Sequence, residues 1–151
     1  MEIREGTLLT PEHARTRLDD WRQRVYALYD SIAKELKGTD LRIDRQGKHT
    51  ALEELAQQVG IDPPPLDILR IERQSGLNAA TLIPKGLWVL GANGRVDLRI
   101  INPFGSSELY ILFDQSEPFA GSAHWIRSPV SAPFDREPFE PRWLRARLLE
   151  R

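Results

Sequence analysis

Histidine is the residue type in this chain that could most readily act as a metal ligand or general base near neutral pH. The 151 residues include three histidines, which lie far apart in sequence and in unrelated contexts: His13, His49 and His124. Metal sites in proteins usually show ligands at recognisable local spacings. The histidines therefore predict no metal site, and His124, beside Trp125, is the best of three weak candidates for a functional role.

The serines and glycines also lack the spacing of a reactive motif. No serine lies in the Gly-x-Ser-x-Gly elbow that presents a nucleophile. Gly86, Gly91 and Gly94 lie in or beside a predicted hairpin, rather than in a strand-to-helix loop that cradles phosphates. The chain has no cysteine, which excludes disulfides, thiolate metal sites and a cysteine nucleophile. We predict no catalytic residue, no metal and no cofactor.

One acidic pair gives an alternative, enzymatic interpretation. The segment Gly94–Leu98, which contains Asp97, is followed by a predicted strand that begins at Glu108. This pattern resembles restriction-type nuclease cores, in which an acidic residue and a Glu-x-Lys on the next strand hold Mg²⁺ and orient the nucleophile. The residue two after Glu108 is Tyr110 and not lysine. A metal-dependent nuclease-like enzyme around Asp97 and Glu108 is therefore kept only as an alternative.

The segment from Gly86 to Ile100 predicts a β-hairpin. Asn93-Gly94 is the pair that a two-residue type I′ turn favours, because both central residues need φ > 0. A turn there would set Trp88 opposite Arg99 and Leu90 opposite Asp97. The other face would then be apolar.

This register predicts the binding surface. If the strand after Glu108 continues the meander, Leu109, Ile111 and Phe113 join the apolar face, and Tyr110 joins the mixed face. That mixed face carries residue types that are enriched at protein interfaces. We therefore predict a partner-binding site formed by Trp88, Arg95, Asp97, Arg99 and Tyr110, unless a helix or the C-terminal tail covers it.

Nucleic-acid binding is a second alternative. Arginines cluster on the predicted last helix, at Arg142, Arg145 and Arg147. The segment 52–61 is typical of the first helix of a helix-turn-helix, but Asp62-Pro63-Pro64-Pro65 follows it and forbids a recognition helix there. The net charge of −1 gives no overall attraction to nucleic acid or to an anionic membrane.

Two helices are predicted in the N-terminal part. Thr10 is a suitable N-cap and Pro11 a suitable first residue for a helix over 11–37, with Gly38 as its stop. Its apolar stripe runs from Ala14 through Trp21 to Leu36 at helical spacing, which fits a core contact or, alternatively, a homodimer seam. Thr50 and Glu53 suggest a capping box for a second helix that ends at Gly60.

The rest of the chain is predicted to be rich in strands. Short strands are expected at 41–44, at 66–72 and near 80–83, where Pro84 interrupts the last of them; the hairpin, a strand over 108–114 and a further strand at 122–126 follow. The segment 115–141 combines proline with aromatic residues and predicts an ordered wrap with aromatic anchors. A helix is expected over 141–151, with Trp143, Leu144 and Leu148 inward.

Length and composition bound the class of protein. A chain of 151 residues fits one domain, 1–151, and no apolar run approaches the roughly 20 residues of a membrane span. The N-terminal residues 1–5 lack the apolar core of a secretory signal. We expect a cytoplasmic protein, and the excess of arginine over lysine favours a GC-rich bacterial source.

Together these patterns predict an α+β fold, in which a long N-terminal helix and a short second helix pack on an antiparallel β-meander. A Pro/aromatic-rich wrap and a short C-terminal helix complete it. For function they favour a non-enzymatic protein-interaction module of the immunity, antitoxin, adaptor or phage-accessory type, whose partner is another protein.

Overall fold

The computed structural model describes residues 10–149. Residues 1–9 and 150–151 lie outside the described residues; they include residues 1–5, from which a secretory signal was judged absent, and the end of the predicted last helix. The elements in chain order are α1 (Pro11–Leu36), β1 (Arg42–Asp44), β2 (Lys48–His49), α2 (Glu54–Gln58), β3 (Leu66–Asp67), β4 (Leu69–Glu72), β5 (Asn78–Gly86), β6 (Arg95–Ile101), β7 (Ser107–Asp114), β8 (Trp125–Pro129), β9 (Glu137–Pro138) and α3 (Pro141–Leu149).

The strands form one antiparallel sheet of seven strands in the order β1-β4-β5-β6-β7-β8-β9, and β2 and β3 form a small second sheet. Successive side chains of a strand point to opposite faces. We call the face that carries Leu82, Leu98 and Leu112 the inner face, and the opposite face the outer face. The α+β fold predicted from the sequence is confirmed.

Helix α1 covers the inner face. The Thr10 side chain accepts a hydrogen bond from the His13 N–H at 3.1 Å, as expected of the N-cap. The Tyr29 hydroxyl donates to the Asp67 carbonyl at 2.7 Å and contacts the Leu82 carbonyl at 3.4 Å. The apolar stripe of α1 is buried in the chain's own core, so it is not available as a seam for a second copy.

The hairpin prediction is wrong in its first strand. Strand β6 pairs with β5, so that Thr81 and not Trp88 lies opposite Arg99. Asn93 does not have the positive φ that a type I′ turn requires. The tight turn lies instead at Leu90-Gly91, closed by a bridge between Val89 and Ala92, and Leu90 is fully exposed at its tip.

The side chains of β7 also point to the opposite faces of the sheet from those predicted. Ile101 pairs with Ser107 across the loop 102–106, and this register places Tyr110 opposite Leu98 and Ile111 opposite Asp97. Leu109, Ile111 and Phe113 therefore lie on the outer face, whereas Leu112 lies in the core. A shift of one residue in a loop exchanges the two faces of a strand, because the side-chain period is two.

The second helix and the tail are confirmed only in part. Helix α2 is a single short turn of helix, and the capping box is wrong because Glu53 is buried and makes no cap hydrogen bond. The strand expected at 122–126 lies at 125–129. Of the tail aromatics, Trp125 and Phe139 are buried anchors, whereas Phe119 and Phe134 are exposed. In α3, Leu144 and Leu148 are buried as expected.

A buried ion pair explains why Asn93-Gly94 does not form the predicted turn. The Arg24 guanidinium on α1 donates to the Asp114 carboxylate on β7 at 2.5 Å and to the Asn93 carbonyl at 2.7 Å. The Asn93 N–H donates to the Asp114 carbonyl, and Arg17 donates to the Asn93 side chain at 2.9 Å. These contacts hold the segment 87–94, which we call the clamped loop, against α1.

The same contacts bring Gly94 against Trp21. Gly94 has φ +130°, and a Cβ built on it would overlap the Trp21 ring. Trp21 is 2% exposed and also contacts Trp125 at 6.1 Å between ring centroids. Only glycine suits this position, because both the backbone conformation and the space exclude a side chain.

We predict that Gly94→Ala lowers the free energy of unfolding by about 3 kcal/mol or more, since overpacking adds to the cost of the backbone conformation. Gly91→Ala is the matched control, because Gly91 has φ +79° but no atom near the position of a Cβ. It should lose about 1 kcal/mol, the backbone cost alone. Urea denaturation measures both, and equal losses would contradict the Trp21–Gly94 contact.

The ion pair itself makes a second prediction. Asp114→Asn should lower the free energy of unfolding by about 3–5 kcal/mol, because it removes the fully buried carboxylate from the Arg24 charge and leaves only the more exposed Asp20 beside it. Asp20, one helical turn before Arg24, accepts from the Arg24 Nε at 2.8 Å. Asp20→Asn should lose less than about 1 kcal/mol, as such helix pairs do. Similar losses for the two variants in urea denaturation would argue against a dominant role of Asp114.

Candidate protein-interaction face

The outer face carries the predicted residues Arg95, Asp97 and Arg99, which alternate along β6. Their neighbours on β7, in register, are Phe113, Ile111 and Leu109. We call these three β7 residues the apolar row. The mixed face of the prediction therefore exists, but apolar side chains lie beside the charges of β6 in place of Trp88 and Tyr110.

The apolar row is accessible to solvent. Leu109 is 43% exposed and its neighbour Val130, on the segment after β8, is 50% exposed. Ile111 and Phe113 are half-buried. Helix α1 contacts the sheet through Tyr29, whose hydroxyl lies near the Leu82 carbonyl. Helix α3 contacts it through Trp143, which packs on Tyr110. Leu82 and Tyr110 both point to the inner face. The apolar row is thus the part of the sheet that the packing of these two helices leaves free.

A shallow groove of about 380 Å³ lies along this face, between β5 and β7. It is lined by Thr81, Ile83, Asp97, Arg99, Leu109 and Val130, among others. The lining is part aliphatic and part charged, whereas closed pockets for small ligands are lined mostly by apolar side chains.

The charges of the outer face are unevenly satisfied. Arg95 is paired with Asp97, with 2.7 Å between Nε and Oδ1. The side chains of Arg99 and Lys85 make no hydrogen bond or ion pair among residues 10–149. Arg136 lies with its guanidinium carbon 5.5 Å from the centre of the Phe113 ring. The predicted residues Arg95 and Asp97 thus neutralise each other, and Arg99 remains available.

Tyr110 lies opposite Leu98 on the inner face, so its predicted position on the mixed face is wrong. Its ring contacts Trp143 of α3 edge-on, with 5.1 Å between centroids, and burial raises the pKa of its hydroxyl. Its role in the structure is to pack α3 on β7.

Trp88 also lies away from the outer face, in the clamped loop. The Arg17 guanidinium carbon lies 5.8 Å from the centre of the Trp88 ring. Next to it, the buried Glu53 carboxylate accepts the Leu87 N–H at 2.8 Å. Burial raises the pKa of Glu53, and the hydrogen bonds from the Leu87 and Trp88 backbones and the charge of Arg17 oppose that rise. Trp88 thus helps to hold the clamped loop against α1.

Because the pKa of Glu53 is higher in the folded than in the unfolded chain, the folded state binds more protons at this group. The contribution of Glu53 to stability is therefore complete below its unfolded pKa of about 4.5 and is lost as the pH rises through its folded pKa. Glu53→Gln does not titrate. We predict that its free energy of unfolding, relative to the parent chain, increases from pH 4 to pH 8.

Urea denaturation of Glu53→Gln and of the parent chain at each pH measures this difference. A flat profile for Glu53→Gln would mean that Glu53 is as well solvated in the folded chain as in the unfolded one.

The three arginines of the nucleic-acid alternative, all on α3, do not share one set of contacts. Arg147 forms an ion pair with Glu108, and Arg142 forms one with Glu140 at 2.9 Å. Arg145 is exposed on α3. Two of the three predicted arginines are thus already engaged by carboxylates, which weakens the phosphate contacts they could make.

The acidic pair of the nuclease-like alternative is separated by the sheet. Asp97 points to the outer face and Glu108, opposite Ile100, to the inner face. The two carboxylates cannot share one metal ion. Over residues 10–149, no group of three or more His, Cys, Asp or Glu side chains is arranged to hold a metal.

The apolar row and Lys85 are the surface residues that the sequence analysis missed. The apolar row was assigned to the core because it has the stronger hydrophobic alternation on β7. The pairing of Ile101 with Ser107 across five loop residues would have reversed that assignment, and it is visible only in the structure. Lys85 lies at a bulge that the predicted hairpin did not contain.

Comparison of the chain with protein-family models, with curated proteins and with solved structures gave no match. Within residues 10–149, none of the helices combines the length and the apolar character needed to cross a membrane.

Proposed function

We propose that this chain is a non-enzymatic protein-interaction module that binds a protein partner through the outer face of its sheet. The observation that carries the proposal is the apolar row Leu109, Ile111 and Phe113, which is exposed at Leu109 and half-buried at Ile111 and Phe113, beside charged residues of β6. Contiguous apolar side chains on the surface of a folded domain mark interaction sites more often than isolated ones do.

The rigidity of the face supports the same proposal. Strand β7 is hydrogen-bonded on both sides, by β6 and β8, so the apolar row is held at a fixed spacing. A partner that binds it loses little conformational entropy on this side of the interface. An immunity, antitoxin, adaptor or phage-accessory protein needs this kind of surface, because it acts by occupying a partner.

Site-directed photo-crosslinking in the producing cell tests this proposal. A photoreactive residue at Leu109 should yield one discrete protein adduct, whereas the same residue at Leu52, exposed near α2, should not. The protein in the adduct is then identified, purified and titrated against the parent chain.

We predict that Leu109→Asp weakens the binding of that protein at least tenfold, about 1.4 kcal/mol, while Leu52→Asp changes it less than twofold. Neither exposed substitution should alter stability by more than about 0.5 kcal/mol. Adducts of equal yield at the two positions, or a captured protein that binds Leu109→Asp as tightly as the parent, would refute the proposal.

A further inference from the structure

Among residues 10–149, the side chains of the cations around the apolar row form no ion pair. Arg99 lies opposite Leu109 on the neighbouring strand, and Lys85 lines the same groove. Neither side chain makes a hydrogen bond or ion pair among residues 10–149. Arg136 adds a third cation over Phe113, at the other end of the row.

The carboxylates on this face do not offset the three cations. Asp97 is paired with Arg95, and Glu72 lies 3.9 Å from Arg42. Asp44, at the far edge of the sheet, accepts the Gln46 N–H and lies opposite Arg70. The outer face beside the apolar row therefore carries an excess of positive charge, although the whole chain has a net charge of −1.

A second copy of the chain is a poor occupant for this face. Two outer faces packed together would bring Arg99, Lys85 and Arg136 of both copies into one interface, where like charges repel. A carboxylate-bearing partner would meet the same cations with opposite charge.

The strands also restrict the form of the partner. The backbone groups of β7 are engaged by β6 and β8, so a partner cannot add to the sheet as a strand at the apolar row. It must bind through side chains, as the apolar stripe of an amphipathic helix does. From Leu109 to Phe113 the row spans about 14 Å, at ~3.4 Å per residue. This equals about nine residues, or two and a half turns, of α-helix.

We infer that the partner element is an acidic amphipathic helix, whose apolar stripe lies along the apolar row and whose flanking carboxylates face Arg99, Lys85 and Arg136. This inference rests on the proposed function and names the chemistry of the partner at the same face.

Two synthetic helical peptides of equal length provide the probes. Both carry leucine at i, i+3, i+4 and i+7 over two repeats, and one has glutamate, the other lysine, at the flanking positions. Fluorescence anisotropy should show binding of the glutamate peptide, and affinity at least tenfold lower for the lysine peptide. Raising the salt from 0.05 to 0.5 M should weaken the glutamate complex, because such surface charges are screened.

Charge reversal provides the variants. Arg99→Glu should lower affinity for the glutamate peptide at least tenfold and raise affinity for the lysine peptide above that of the parent chain. Arg145→Glu, an exposed arginine on α3, should change either affinity less than twofold. Circular dichroism and urea denaturation confirm that both variants fold.

Equal affinity for the two peptides, or no binding of either, would overturn the inference. Sedimentation that shows a dimer of the chain lost in Arg99→Glu would assign the face to a second copy, and a single-stranded oligonucleotide bound by the parent but not by Arg99→Glu would assign it to nucleic acid. A specific adduct at Leu109 without peptide binding would leave the proposed function intact, whereas peptide binding without such an adduct would not rescue it.

Discussion

The buried ion pair between Arg24 and Asp114 is the interaction on which the rest of the structure depends. It joins the middle of α1 to the end of β7, and the same guanidinium holds the clamped loop through the Asn93 carbonyl. The other Asp114 oxygen accepts the N–H groups of Ser116 and His124, each at 2.9 Å, so that the segment leading into β8 is also fixed. Burial of two charges is favourable only when hydrogen bonds replace most of their lost hydration. Asp114 meets this condition, and as a result one side chain orients α1, the clamped loop, β7 and β8.

The two faces of the sheet have different roles because of this arrangement. With α1 fixed over the inner face, the core residues Leu82, Leu98 and Leu112 are fully covered, and α3 packs beside α1 through Leu144 and Leu148. The outer face is covered only in part, because the segment after β8 folds over it at Ser128, which lies opposite Ile111 and whose hydroxyl donates to the Pro133 carbonyl at 2.8 Å. Leu109 stays exposed, and the side chains of Arg99 and Lys85 make no ion pair among residues 10–149. The physical basis of the proposed function is therefore a difference between the two faces of the sheet. The helices α1 and α3 cover the inner face, whereas the outer face carries apolar residues that no helix covers.

The core was more predictable than the candidate site. The stripe of α1 and the positions Val96, Leu98 and Ile100 on β6 were assigned correctly, because many apolar residues at a regular period leave one choice of face. The site depended on single positions. Arg95, Asp97 and Arg99 followed from the alternation of β6, but Tyr110 was placed on the wrong face and Trp88 in the wrong element. Each error came from a connecting loop. The conformation of the clamped loop moved Trp88 out of the sheet, and that of the loop 102–106 decided to which face Tyr110 points.

The sequence by itself determined the α+β class, the bounds of α1, the inward residues of α3 and the alternation of β6, because each depends on local periodicity or on capping near in sequence. Only the tertiary structure decided that Asn93-Gly94 would contact α1 and not form a turn, since the partners of Asn93 are Arg17 and Arg24, 76 and 69 residues away in sequence. It also decided which face of β7 is exposed. The local preference of Asn-Gly for a type I′ turn is weak compared with burial of an ion pair and of Trp21, and such long-range contacts leave no periodic pattern in the sequence.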